Sequence, residues 1–249
     1  MVRKLLSPRW ILIHVGVGSL IFLMVNLGFW QLNRLNQKRD FNSVLSAHSS
    51  TPVQSLDKAV PGKWDKTTSE WIRVSVTGSY DSSKAVTIIN RSQDGTAGYN
   101  SVVPFTSVNN RTILVNRGFV PLVMESPTAP TGEIEIIGYL RASQTRSALG
   151  PIDSKEVGNT EFQRFDIPLI SVHVGKTVEP MFIQLITESP ASASQWPAKV
   201  ALPPLDEGTH FSYAMQWFFF CLVALTAWIV VVRRKIQQVN ALTQEQTSA

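Results

Sequence analysis

Charged residues vanish from two stretches of this 249-residue chain, Trp10 to Trp30 and Phe211 to Val232, 21 and 22 residues long. At about 1.5 Å rise per residue each makes a helix of about 30 Å, the thickness of a bilayer core. Trp10, Trp30, Tyr213 and Trp228 stand near their ends, where amphipathic rings anchor at membrane interfaces. A buried core helix is the competing reading, but length and aromatic ends favour two membrane crossings. The first run also exceeds the h-region of a signal peptide, about 7–15 residues, and residues 31–39 offer no small-x-small cleavage site. It is therefore read as a retained anchor.

Between the runs the pattern changes twice. Leu32, Leu35, Phe41, Val44 and Leu45 recur at helical intervals, so the first helix is expected to continue from Gln31 towards Leu56, with Ser49-Ser50-Thr51-Pro52 ending or interrupting it. Beyond Ser69, short alternating segments rich in β-branched residues predict seven strands: Trp71–Tyr80, Ala85–Asn90, Tyr99–Thr106, Thr112–Phe119, Glu133–Ala142, Glu161–Ile167 and Met181–Thr187. Asp94-Gly95 signals a hairpin, Asn109-Asn110 and Thr131-Gly132 signal turns, and Pro168 to Gly175 reads as a short helix. The fold class is two transmembrane α-helices flanking a mainly antiparallel β (α+β) extracytoplasmic domain, barrel-like or sandwich-like. Its divisions are an N-terminus 1–9, a first span 10–30, the domain 31–209, a second span 210–232 and a polar tail 233–249.

Composition narrows the chemistry. One Cys excludes a disulfide framework and a thiolate zinc site within one chain, and four His without HxxxH spacing leave little for a metal cage. The net charge of +5 is not a nucleic-acid signature. From Asp40 to Glu207 there are 14 basic and 17 acidic residues; the excess basicity flanks the apolar runs. Basic residues before the first run, and Arg233-Arg234-Lys235 after the second, put both termini in the cytoplasm by the positive-inside rule. Arg34, Lys38 and Arg39 oppose this, but long domains translocate largely regardless of charge. Only nine residues precede the first run, too few for a transit peptide, which points to a bacterial inner membrane.

No GxSxG elbow, P-loop or GxGxxG after a strand is present. A membrane-tethered hydrolase would have to cluster Ser or Asp with His48 or His173. More telling are the polar residues at the outer mouth of the spans. On a helix His210 shares a face with Tyr213, Ala214 and Trp217, and antiparallel spans bring Trp30, Gln31 and Arg34 to the same level. That set suits an imidazole ligand to haem iron, rings flanking a macrocycle and a guanidinium on a propionate. It equally suits a capped helix start with aromatic anchors. His14 and Asn26 sit within the first span, suited to bonding backbone or a partner helix. In the domain, Asn90-Arg91 and Asn116-Arg117-Gly118 are read as strand-end pairs, with Gly118 suited to a bulge. Asn116, Arg117 and Arg91 either meet an acidic partner or propionate, or close turns.

Taken in order, these pieces resemble the Surfeit-locus-one family of cytochrome c oxidase assembly factors. Leu27-Gly28-Phe29-Trp30-Gln31-Leu32-Asn33-Arg34 matches the family's LGxWQxxR pattern, and His210 to Trp217 is close to its HxxYAxQW. Between them come Val76 to Asp81, Asn90-Arg91, Gly98-Tyr99, Val103-Pro104-Phe105 and Ile113 to Pro121, with Phe119 where the family often has Trp. The resemblance implies a non-enzymatic inner-membrane protein that helps build haem–copper oxidases. Its implied partners are the catalytic subunit and other assembly factors, its implied cofactor haem a, and its implied iron ligand His210. A two-span scaffold or ligand sensor unrelated to oxidases is the alternative; the short cytoplasmic tail argues against signalling.

Overall fold

The computed structural model describes residues 7–61, 64–156, 158–192 and 194–247, with side chains as far as Ala241. The chain divides into two compact units, Met1–Ser43 with Leu205–Ala249, and Val44–Pro204. The first unit consists chiefly of two long helices. Helix α1 (Pro8–Ser49) opens on proline, where a missing N–H costs nothing, and no later proline interrupts it before Pro52. Helix α5 (His210–Thr247) has neither Gly nor Pro in 38 residues, so it runs through the stretch expected to be a polar tail. Both are long and apolar enough to cross a membrane by length and composition.

The Val44–Pro204 unit is built on a mixed sheet of eight strands: β1 (Gln54–Ser55), β2 (Arg73–Tyr80), β3 (Val86–Gln93), β4 (Thr96–Ser107), β5 (Thr112–Pro121), β6 (Ile134–Ala142), β7 (Glu161–Phe162) and β8 (Met181–Ser189). Their order is β1-β2-β6-β8-β5-β4-β3-β7, and β2 also pairs with β4. That second pairing closes β2, β6, β8, β5 and β4 into a ring. Strand β5 runs parallel to β8, as β1 does to β2 and β7 to β3; the other pairs are antiparallel.

Period two explains the packing. Val74 and Val76, Phe105, Ile113 and Val115, Ile136 and Leu140, Met181 and Ile183 belong to one cluster drawn from all five ring strands. The alternate residues Leu114 and Phe182 turn the other way, and with Val86, Ile88 and Val102 they pack against helix α4 (Ile167–Val174) and Phe162. Strand β5 is thus buried along its whole length. At Asp94-Gly95 both residues have positive φ, 51° and 77°, and Gln93 pairs with Thr96, a two-residue type I′ hairpin as the sequence predicts. Asn110 takes φ 61° in the β4–β5 turn.

Two further expectations shift. The strand at 161–167 stops at Phe162 because Asp166 caps α4, its carboxylate accepting from the Leu169 N–H, and Gly175 closes that helix at φ 70°. The helical extension stops at Ser49. Leu56 begins a separate turn, α2 (Leu56–Ala59), after the two-residue β1, with α3 (Lys66–Ser69) following.

Candidate functional site

The polar residues predicted at the outer ends of the spans all lie in the helical unit. Contacts between α1 and α5 step in opposite directions along the two helices. Trp228 Nε1 donates to His14 Nδ1 at 3.2 Å. Phe218 packs on Gly28 and meets Phe29 edge-on at 5.6 Å. His210 Nδ1 meets Gln31 Oε1 at 2.8 Å. The helices are antiparallel, so Gln31 and His210 share one level. Gly28 is what allows the approach: a Cβ there would stand 2.6 Å from the Phe218 ring. Asn26 instead bonds its own helix, donating to the Phe22 carbonyl at 2.7 Å.

The Gln31 carbonyl oxygen can only accept, so in this pair the imidazole Nδ1 is the donor, and in the neutral ring the lone pair then falls to Nε2. A side-chain acceptor behind a histidine is the usual way a protein fixes tautomer and ring orientation for a ligand on the other nitrogen. Around this pair the predicted set divides. Ala214, one turn on from His210, is fully buried, whereas Tyr213 and Trp30 are about half exposed. Trp217 is half-buried and stacks edge-on with Phe220 at 6.2 Å. Arg34 is exposed and donates to the neutral Gln37 at 2.9 Å.

Sequence reasoning missed what fixes the approach to His210. Arg39 forms a fork on Glu207 at 2.8 and 2.9 Å, Lys38 lies 3.9 Å from Asp206, and Asn42 donates to the Asp206 carbonyl at 2.8 Å. The basic residues after the first span therefore answer the acidic pair before the second. The signal was present: opposite charges just outside the same ends of two antiparallel helices.

The domain residues have different settings. Asn116-Arg117-Gly118 is a bulge within β5, not a strand end: Val102 pairs with Asn116 and Ser101 with Gly118, so Arg117 is the extra residue. Gly118 has φ 137°, and a Cβ there would lie 2.2 Å from the Ala198 carbonyl. The Asn116 side chain accepts from the Gly118 N–H at 3.2 Å. Arg117 is 2% exposed. It donates to Glu188 at 3.2 Å and to the Pro127 carbonyl at 2.9 Å, with its guanidinium over the Tyr80 ring. The Tyr80 hydroxyl donates to the other Glu188 oxygen at 3.0 Å; burial, then the Glu188 charge, pushes its pKa up. Asn116 and Arg117 are thus each 2% exposed in the domain, and Arg117 and Glu188 line a cavity of about 280 Å³ with Trp196 and Ala198. Asn90-Arg91 likewise lies inside β3, with Asn90 at φ 58°. The guanidinium of Arg91 is half-buried, and burial followed by the charge of Arg164 lowers its pKa. Among the described residues the two domain histidines meet no nucleophile: His48 Nδ1 bonds the Glu70 carbonyl at 2.6 Å, and both ring nitrogens of His173 are buried without a partner.

Comparison with known proteins places these features in one lineage. The model of the SURF1 family matches residues 19–222, which include both Gln31 and His210. The chain is 25% identical to Surfeit locus protein 1 of Takifugu rubripes, over 92% of this chain and 98% of the relative. It is 25% identical to a SURF1-like protein of Rickettsia felis, over 86% and 94%. An uncharacterized SURF1-like protein of Mycobacterium tuberculosis is also 25% identical, over 88% of this chain and 82% of the relative.

Proposed function

Because the chain belongs to the SURF1 family, we propose that it is an integral inner-membrane assembly factor for haem–copper cytochrome c oxidase, without a reaction of its own. In this reading both termini are cytoplasmic, the Val44–Pro204 unit lies outside, and the partners are the oxidase catalytic subunit and other assembly factors. The observation that carries it is the His210–Gln31 pair, which joins the chain's two span motifs through one hydrogen bond.

The donor set fits a haem. With Nδ1 bonded to Gln31, His210 would hold a haem through Nε2 of its neutral form, the chemistry haem iron takes from histidine. Trp30 and Tyr213, adjacent to Gln31 and one turn from His210, offer exposed rings for a macrocycle. Arg34, whose partner among the described residues is the neutral Gln37, supplies a guanidinium suited to a propionate. The bound group's contribution is its own redox and ligand chemistry; the protein's part is to hold and hand it on. Gln31 orients the imidazole, and the ties of Lys38, Arg39 and Asn42 to Asp206-Glu207 fix the turn that presents it.

Deleting the gene should abolish oxidase activity and the haem a band in membranes, and the intact gene should restore both. Protein purified from cells making haem a should carry haem, and His210→Ala should lose it. Gln31→Ala should retain part of it with a shifted spectrum, since the ring is then free to turn. A His210→Ala protein with full haem and an unchanged spectrum would end the ligand assignment. Unchanged activity after deletion would favour a two-span scaffold serving something else.

A further inference from the structure

A second feature, independent of the haem reading, lies at the β3 edge of the sheet. Ile88 pairs with Asn100 and Arg91 with Gly98, so β3 advances three residues while β4 advances two. One extra residue, taken up with Asn90 in the left-handed region, puts Arg91 where a regular strand would place residue 90. Arg91 therefore stands on the face of Val86 and Ile88, the face that packs against Phe162 and Phe165. The bulge has turned a cation towards a buried side of the sheet.

There the guanidinium lines a cavity of about 500 Å³ together with Arg164, Asn90, Gln144, Thr145 and Ser147. No carboxylate among the described residues lines it. Asp153, the nearby buried acid, is occupied by the Arg164 guanidinium at 2.7 Å and by the Gln163 N–H. Arg91 donates to the Gln163 carbonyl at 3.0 Å, a neutral acceptor, and forms no ion pair among the described residues. A half-buried guanidinium whose bonded partner is neutral keeps its charge uncompensated, and an anion in the cavity would supply the counter-charge. Beside Gly150 and Pro151, the lining side chains Asn90, Gln144, Thr145 and Ser147 carry amides and hydroxyls that serve as further donors to oxygen. A guanidinium fork with such donors matches phosphate and carboxylate geometry.

We infer that this cavity binds a small oxyanion, a phosphate- or carboxylate-bearing solute, with Arg91 as its principal ligand and Arg164 as the second cation. The site lies wholly within the Val44–Pro204 unit and does not depend on His210.

The test uses the purified full-length protein in a neutral detergent, at ionic strength held constant with chloride. Inorganic phosphate is followed by 31P line broadening, and succinate by titration calorimetry. Saturable binding in the millimolar range is expected. Arg91→Gln should weaken it at least tenfold and Arg91→Lys less, since lysine keeps the charge and loses the fork. Lys176→Gln, which removes an exposed cation beside Asp81, should leave it unchanged. Circular dichroism checks that each variant is folded. Phosphate binding without succinate names a tetrahedral ligand; binding of succinate extends the class to carboxylates. No saturable binding of either anion, equal affinity in Arg91→Gln, or equal loss in Lys176→Gln would overturn the assignment.

Discussion

Replacing Glu188 by Gln is the sharpest test of how the β domain is held together. The Arg117 and Glu188 side chains are 1% and 8% exposed, so water cannot take over from either partner. Glutamine keeps the shape, accepts from the Tyr80 hydroxyl and still faces the guanidinium, but it removes the only carboxylate bonded to Arg117 among the described residues. The Pro127 carbonyl remains as acceptor, while Arg117 Nε already lacks one. Leaving one member of a buried pair uncompensated costs about 3–5 kcal/mol, and the two surviving hydrogen bonds argue for the lower end, about 3 kcal/mol. For a domain of about 150–250 residues that lowers Tm by about 6–12 °C. Thermal unfolding of the full-length protein in detergent, followed by near-UV circular dichroism, reads the shift. Arg117→Met combined with Glu188→Leu removes both charges and should recover most of the loss. A fall of less than about 2 °C for Glu188→Gln would show that the ion pair is solvated after all, and the reading of Arg117–Glu188 as a buried structural pair would fail.

Gly28→Leu forces a side chain onto the Phe218 ring and should cost about 1–3 kcal/mol of helix pairing, read as faster proteolysis of the α1–α5 unit, with Gly28→Ala milder. At acid pH the Asp57 carboxyl, held below its ordinary value first by the Arg111 hydrogen bond and then by Asn109, stabilises the fold above about pH 4 and ceases to as pH falls through its lowered value. Asp57 is half exposed, so the effect is under about 1 kcal/mol; Arg111→Gln should flatten the low-pH limb of Tm, and an unaltered limb would refute the pairing. His173 has its pKa lowered, chiefly by burial and then by Lys84, so the unfolded chain binds the proton more readily. Stability should therefore decline as pH drops below about 6.5, and His173→Leu should remove that slope between about pH 7 and 5.

Much of this architecture is written in local pattern. Uncharged runs with aromatic ends define the helices, and period-two segments define most of the ring strands. Asp94-Gly95 sets its hairpin through positive φ at both residues, which those two residue types tolerate. What pattern cannot carry is pairing between distant segments. Nothing local in Met181–Ser189 says that it joins β5 in parallel, since that depends on what α4 and the closed ring leave open. Two-residue strands such as Gln54–Ser55 have no period to detect. The tail beyond Arg233 was read only as polar, and with no helix breaker before Thr247 it continues the helix.

The candidate residues follow the same division for a physical reason. His210 and Gln31 were legible because helices fix both face and level: about 1.5 Å per residue and an antiparallel pairing suffice to bring them together. The two Asn-Arg motifs were recognised as unusual but placed at strand ends; Gly118 signalled the bulge in β5, whereas the one at Asn90 has no glycine to mark it and leaves no trace in alternation. In both, one extra residue sends an arginine to the inner side of its strand. At Arg117 a carboxylate from β8 waits there; at Arg91 only neutral acceptors do. The same backbone device thus yields a closed structural pair in one strand and an open cationic cavity in the next but one, and the difference rests on a single residue, Glu188, for which the Arg91 cavity has no counterpart among the described residues.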